Sequence, residues 1–191
     1  MKIKKRVGVI HGKFQLLHKG HMEYLLEGKR RCDFLYIGIT NPDVLLTKEH
    51  VTDKNRSNPK SNPFMYYERM EMIRDALLEE GIKKDEFEIV PFPINIPELL
   101  KFYIPMDATF FITIYDEWGW HKYNLLKKMD LIIDLMWVRE MSERYTSGTE
   151  VRNLIANNKE WEYLVPNSVV KYIKEKELDK RIHRIFNDKN K

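Results

Sequence analysis

The stretch Gly12-Lys13-Phe14-Gln15-Leu16-Leu17-His18-Lys19-Gly20-His21 sets two imidazoles three residues apart. On a helix that spacing puts both on one face. Gly12 stands where an apolar run has to turn, and glycine lets backbone approach a ligand closely. A helix starting after it presents N–H groups that lack intrahelical partners, a natural phosphate site. Imidazole donors at such a place can stabilise charge developing on a transferring phosphoryl group without a covalent step. The same spacing also fits two surface histidines or part of a metal site. Two histidines alone leave a zinc site incomplete, and His50, His121 and His183 show no ligand spacing.

A second segment, Arg144-Tyr145-Thr146-Ser147-Gly148-Thr149-Glu150-Val151-Arg152, carries three hydroxyls, a glycine and an arginine. Ser147 to Glu150 reads S-x-x-E, a capping box that opens a helix over 149–157. Arg152 then emerges about one turn in. A helix N-terminus with hydroxyls and an arginine is either a second phosphate cradle or an ordinary capped helix. Two cradles at the ends of neighbouring strands would hold a polyphosphate. A Walker-type G-x-x-x-x-G-K-[ST] loop and a G-x-G-x-x-G fingerprint are both missing, so a P-loop enzyme and hydride chemistry have no support.

The elements that must position these segments are legible in the apolar pattern. Val7–His11, Phe34–Ile39, Phe87–Pro91, Ala108–Ile114 and Leu131–Val138 read as buried strands. Helical spacing runs through 19–29, through 66–80 (with Met70, Ile73, Leu77 and Leu78 on one side), through 120–129, and through a last helix opened by Pro166 with Val169, Val170 and Ile173 inward. Strands alternating with helices predict an α/β fold with a doubly wound parallel sheet. In such sheets ligands bind beyond the carboxyl ends of the strands, which is where the unusual residues gather. The polar stretch 47–61 is long enough to be a lid.

Composition narrows the function classes. The 191 residues are 43% hydrophobic, enough for a core, and no apolar run approaches a membrane span. The basic start meets His11 and Lys13 within a few residues of its apolar run, so export is rejected and a cytoplasmic protein is expected. One cysteine, Cys32, excludes a multi-cysteine zinc site and reads as a small buried residue. The net charge of +4 resides entirely in residues 171–191, leaving the other 170 residues balanced. Such a tail is usually a solvated helix face, so no nucleic-acid partner is expected.

The GKFQ run leading to His18-Lys19-Gly20-His21, followed far downstream by Tyr145 to Arg152, resembles the paired signatures of the HxGH nucleotidyltransferase superfamily. Together with Asn62-Pro63-Phe64 and Glu68-Arg69, these residues are most similar to the archaeal-type nicotinamide mononucleotide adenylyltransferases, over most of residues 5–175. The resemblance implies a Rossmann-like single domain over 1–165 with a C-terminal helical extension over 166–191 packing on it. It implies transfer of a nucleotidyl group from an NTP with release of pyrophosphate. Catalytic roles fall to His18, His21, Lys13 and Arg152. Nucleotide contacts fall to Gly12, Phe14, Gln15, Gly20, Tyr145, Thr146, Ser147, Gly148 and Thr149. Mg²⁺ would arrive with the triphosphate, with no metal ligand from the protein. The acceptor's own phosphate or phosphonate oxygen would attack the α-phosphorus in line.

The acceptor is where this chain departs from the adenylyltransferases. They carry a tryptophan after the third strand, whereas Pro93–Leu100 holds no aromatic residue. Their glycine- and asparagine-containing turn after the fourth strand is replaced by Ile114 to Lys122. Gly38-Ile39-Thr40-Asn41-Pro42-Asp43 resembles nucleotidyltransferases of phosphonate pathways that use CTP. The expected reaction is therefore transfer from CTP to a small phosphate or phosphonate acceptor. NAD synthesis from ATP and a nicotinamide mononucleotide is the alternative, and a non-catalytic nucleotide sensor is a further one. Thr40, Asn41, Asp43, Asp116, Trp118 and Trp120 are the candidate acceptor-site residues; the two tryptophans stack on substrate or pack over the sheet edge. A homo-oligomer is compatible with all of this.

Overall fold

The computed structural model describes residues 6–43 and 58–187. All five expected strands form: β1 (Val7–Gly12), β2 (Phe34–Thr40), β3 (Phe87–Phe92), β4 (Thr109–Ile114) and β5 (Ile132–Val138). They make one sheet in the order β3-β2-β1-β4-β5, every adjacent pair parallel. The order reverses at β1, as in a doubly wound Rossmann-like sheet, which places a topological switch beyond the carboxyl ends of β1 and β4. The expected lid over 47–61 falls mostly on residues 44–57, outside those described.

The chain is organised as two compact units. One comprises 1–13, 23–42 and 83–144; the other comprises 14–22, 43–82 and 145–191. The first contains the whole sheet. The later turns of α1 (Lys19–Arg30) meet one sheet face, where Gly28 lies against Ile10. On the other face Val9, Phe110, Ile112 and Ile114 pack with Leu126 of α3 (Glu117–Lys127) and with Ile94, Leu100 and Ile104. α3 begins earlier than its apolar spacing suggests because Asp116 caps it, accepting the Gly119 N–H at 2.8 Å. β5, an edge strand, carries an irregularity opposite Ile112 and Thr113, where Met136 is left out of the register. Cys32 is buried and its thiol is pushed up to about 11 by that burial, so it is an inert packing residue.

The second unit is helical: α2 (Tyr66–Glu79), α4 (Gly148–Ala156), α5 (Asn167–Glu175) and α6 (Leu178–Asn187). α5 packs on α2, and α6 packs on α4 and α5. The single terminal helix expected from Pro166 is broken at Glu177, whose φ of 53° cannot continue a right-handed helix. The inward face of α2 is also rotated from the expected stripe. Met72, Ile73, Ala76 and Leu77 are buried while Leu78 is exposed, because the face turns to enclose Glu68 and Arg69.

Glu68 explains that rotation. One carboxylate oxygen accepts the Met65 N–H at 2.9 Å, and both accept the Arg181 guanidinium of α6 at 2.7 and 2.8 Å. Arg181 also donates to the Pro63 carbonyl at 3.3 Å. The basic tail is therefore tied in by a bidentate pair to a carboxylate that is 2% exposed, with Leu178 and Ile182 buried beneath. Arg181→Ala strands a buried carboxylate, so unfolding free energy should fall by about 3 kcal/mol. Chemical denaturation should show it as a lower midpoint at unchanged slope. A midpoint equal to wild type would mean that the pair is solvent-screened.

Candidate active site

His18 is the residue on which α1 begins. Its carbonyl accepts N–H groups from His21 and Met22 at 2.9 and 3.1 Å. Its Nδ1 accepts the same His21 N–H at 3.3 Å, so the imidazole acts as an N-cap. An Nδ1 that accepts carries no proton, which in the neutral ring leaves Nε2 as the N–H donor. The His21 ring stacks on it with centroids 3.7 Å apart. Phe14 meets His21 edge-on at 5.0 Å. A side chain at position 20 would press on the His18 ring at 3.2 Å, so Gly20 keeps the pair in place.

The turn into this helix is forced through Phe14, which is fully buried at a φ of 49°. A non-glycine residue there is strained, and burial of the ring holds it. Gln15 locks the next step. Its amide donates to the Phe64 carbonyl and accepts the Phe64 N–H, both at 2.9 Å. The Gln15 side chain is thus spent on bracing Asn62-Pro63-Phe64, and its backbone carbonyl receives the second signature.

In that second signature Ser147 caps α4 by accepting the Glu150 N–H at 3.1 Å. The expected capping box is only half made, because the Glu150 carboxylate instead accepts the Thr146 hydroxyl at 2.9 Å. With Ser147 as N-cap, α4 starts at Gly148, one residue before the helix expected over 149–157. Gly148 lies so close to the histidine segment that a Cβ there would sit 2.8 Å from the Gln15 carbonyl oxygen and 3.0 Å from Arg152 Nη1. Arg152 donates to the carbonyls of Gln15 and Lys60 and to the Thr149 hydroxyl. Its guanidinium is 5% exposed, and burial pulls its pKa down to about 10, so it stays charged at neutral pH. A guanidinium has five N–H donors, and the protein takes three here with neutral oxygens. The result is a desolvated cation at a helix N-terminus, beside the segment that carries the imidazole pair. Such a place suits a polyphosphate.

His18, His21, Phe14, Gln15, Gly20, Thr146, Ser147, Gly148, Thr149 and Arg152 thus all lie in the second unit. Tyr145, 59% exposed, and Asp43, also exposed, belong to it too. Gly12, Lys13, Thr40, Asn41, Asp116, Trp118 and Trp120 lie in the first, at or after the carboxyl ends of β1, β2 and β4. Thr40 and Asn41 are buried, Asn41 at a φ of 51°. Trp118 stacks on His121 at 5.1 Å, whereas Trp120 is 45% exposed and meets Tyr123 edge-on. Two cations over aromatic rings sit nearby: Arg144 over Tyr115, with a 3.4 Å contact to Asp116, and Arg139 over Trp137. Arg144 and Tyr115 are 29 residues apart and are brought together by the ends of β4 and β5, whereas Arg139 folds back over a ring only two residues before it. His11 is a further polar residue in what reads as an apolar strand. Among the described residues no group of three or more His, Cys, Asp or Glu side chains is placed to hold a metal ion, and no helix is long and apolar enough to cross a membrane.

Comparison with known proteins identifies a family and a fold. A family model described as cytidylyltransferase-like matches residues 9–178. A phosphonoformate cytidylyltransferase from Streptomyces viridochromogenes is 47% identical over 175 residues, covering 92% of this chain and 94% of that protein. A nicotinamide-nucleotide adenylyltransferase from Pyrococcus abyssi is 30% identical, covering 88% of this chain and 82% of that one. Among solved structures, a bifunctional NMN adenylyltransferase/ADP ribose pyrophosphatase from Francisella tularensis, complexed with AMP and a manganese ion, superposes with a TM-score of 0.62 at 15% identity. That match covers 94% of this chain, which spans about half of the bifunctional protein (52%), and it speaks to the fold.

Proposed function

The chain belongs to the cytidylyltransferase-like family of nucleotidyltransferases, and from that premise we propose that it moves a cytidylyl group from CTP to a small phosphonate or phosphate acceptor. Residues 1–165 form the catalytic part, and 166–191 extend it; the packing of α5 and α6 on α2 and α4 supports this. The observation that carries the reading is the joining of the two signatures at the Gln15 carbonyl, which sets a buried guanidinium and a helix N-terminus beside the histidine segment.

The CTP triphosphate enters with its Mg²⁺ as substrate. Its β- and γ-phosphates take the remaining Arg152 donors, the α4 N–H groups and the hydroxyls of Ser147 and Thr149. Lys13 adds a cation at the start of the turn. A phosphonate oxygen of the acceptor, already ionised, forms a new bond to the α-phosphorus as the bond from that phosphorus to the bridging oxygen breaks. Pyrophosphate carries off the electron pair, and no proton has to be moved. His18, through Nε2–H, and His21 donate to the phosphoryl oxygens as charge shifts onto them. The setting is the cytoplasm.

A phosphonoformate-like acceptor is favoured over a nicotinamide nucleotide. The 47% identical relative supports this. So does the segment after β3, whose Ile94 and Leu100 turn into the core and which offers no ring to stack on a nicotinamide. Pyrophosphate release should be followed for each NTP against phosphonoformate, other small phosphonates and nicotinamide mononucleotide. CTP with phosphonoformate should turn over fastest. Robust NAD formation from ATP would overturn the assignment, and tight NTP binding without pyrophosphate release would make the protein a sensor.

A further inference from the structure

His11 is a cost that the fold alone does not repay. It lies on β1, one residue before Gly12, and is 4% exposed. Among the described residues neither ring nitrogen meets a hydrogen-bond partner. A buried imidazole in that condition is destabilising, and a phenylalanine of similar shape would avoid the penalty. Such breaches of local economy gather at functional sites.

The surroundings are built to hold the ring. His11 pairs in register with Gly38 of β2. Gly38 has no side chain, and any Cβ there would strike the Phe92 ring at 2.4 Å. Phe92 therefore leans over Gly38 and stacks flat on the imidazole, with centroids 4.6 Å apart and 6° between planes. Buried Thr40 and Asn41 follow directly on β2. Burial, with the charge of Lys122 on α3 adding to it, holds His11 well below the usual histidine range. The ring is therefore neutral, with one N–H donor, in a positive field. Its place is the carboxyl end of the strand where the sheet order reverses, beyond which ligands bind in such sheets.

We propose that His11 is a specificity-determining residue that reads the acceptor, donating its ring N–H to the carboxylate at the end of the molecule opposite the reacting phosphonate. This rests on the acceptor reading above. A neutral donor held by stacking, with a cation close by, fits a carboxylate. It gives a nicotinamide nucleotide no comparable charged partner.

The test compares wild type, His11→Phe and His11→Gln at saturating CTP. Two acceptors are used: phosphonoformate, and methylphosphonate, which lacks the carboxylate and serves as substrate or competitive inhibitor. His11→Phe keeps the stack on Phe92 and removes the donor; it should raise KM for phosphonoformate about 10–100-fold, the worth of a hydrogen bond to a charged group. KM for CTP and the constant for methylphosphonate should stay as in wild type, and His11→Gln, which restores an N–H, should recover part of the loss. Without acceptor, Tm of His11→Phe should equal or exceed that of wild type. Equal losses with both acceptors, or a lowered Tm with KM unchanged, would make His11 a packing residue and overturn the proposal. Wild-type protein that ignores phosphonoformate and makes NAD would overturn the acceptor reading itself, visible before any variant is made.

Discussion

His18→Ala should lower kcat for pyrophosphate release at least about 100-fold, the loss seen when one preorganised donor to a developing oxyanion is removed. The stacked pair gives the reason. The Nδ1 of His18 is occupied by the His21 N–H, so the ring cannot turn, and its Nε2 proton is presented in one direction. Alanine removes the donor and the cap together, and loss of the cap should cost about 1 kcal/mol of stability. His18→Asn separates the two effects. Asparagine is a good N-cap, so Tm should return towards wild type while kcat stays low, because its short side chain does not reach where Nε2 stood. His21→Ala should fall in the same range, and the double variant should lose less than the product of the two singles, as residues acting as a unit do. Turnover of His18→Ala within a few-fold of wild type, with CTP saturating, would remove the imidazoles from the mechanism.

How much of this was legible in sequence depends on the range of each signal. The strands are continuous apolar runs, the signature of a parallel sheet, and all five form; the expectation of burial fails only for β5, which as an edge strand has no buried residue. The two signatures were legible because each is a contiguous segment at a helix start. What joins them was not. Arg152 reaches the Gln15 carbonyl across a separation of 137 residues, and backbone oxygens leave no mark in residue type. Glu68 and Arg181 are 113 apart; the tail reads as a solvated helix face, and only burial shows that Arg181 pins it to Glu68 and that Glu68 turns α2. The buried face of α2 departs from the expected stripe for that reason, since hydropathy periodicity cannot foresee a charged residue paired inside. The break at Glu177 escaped notice because no glycine or proline marks it. His11 was hidden by its neighbours: in Val-Ile-His-Gly one polar residue at a strand end reads as the end of the strand.

Gly148→Ala is expected to damage both activity and stability, although helix propensity argues for the opposite sign. Gly148 has no positive φ and opens α4, so alanine there would ordinarily stabilise by up to about 1 kcal/mol. Sterics decide otherwise. The added methyl would lie 2.8 Å from a backbone carbonyl oxygen, which cannot rotate away as a side chain can, and 3.0 Å from the arginine that the same carbonyl accepts. The first turn of α4 must withdraw from Gln15, and the Arg152 bond to that carbonyl lengthens or breaks. Forced repacking of this kind costs about 1–3 kcal/mol, and a displacement approaching 1 Å at a reacting centre costs about 100-fold in rate. The expected result is therefore a kcat lowered about 100-fold, a raised KM for CTP, and a lower Tm. Asn153→Ala, on an exposed turn of the same helix, tests whether α4 simply tolerates no change; it should stay within about 0.5 kcal/mol of wild type with kcat intact. If Gly148→Ala were as stable and active as wild type, α4 would not lie against Gln15, and the two signatures would not form one triphosphate site.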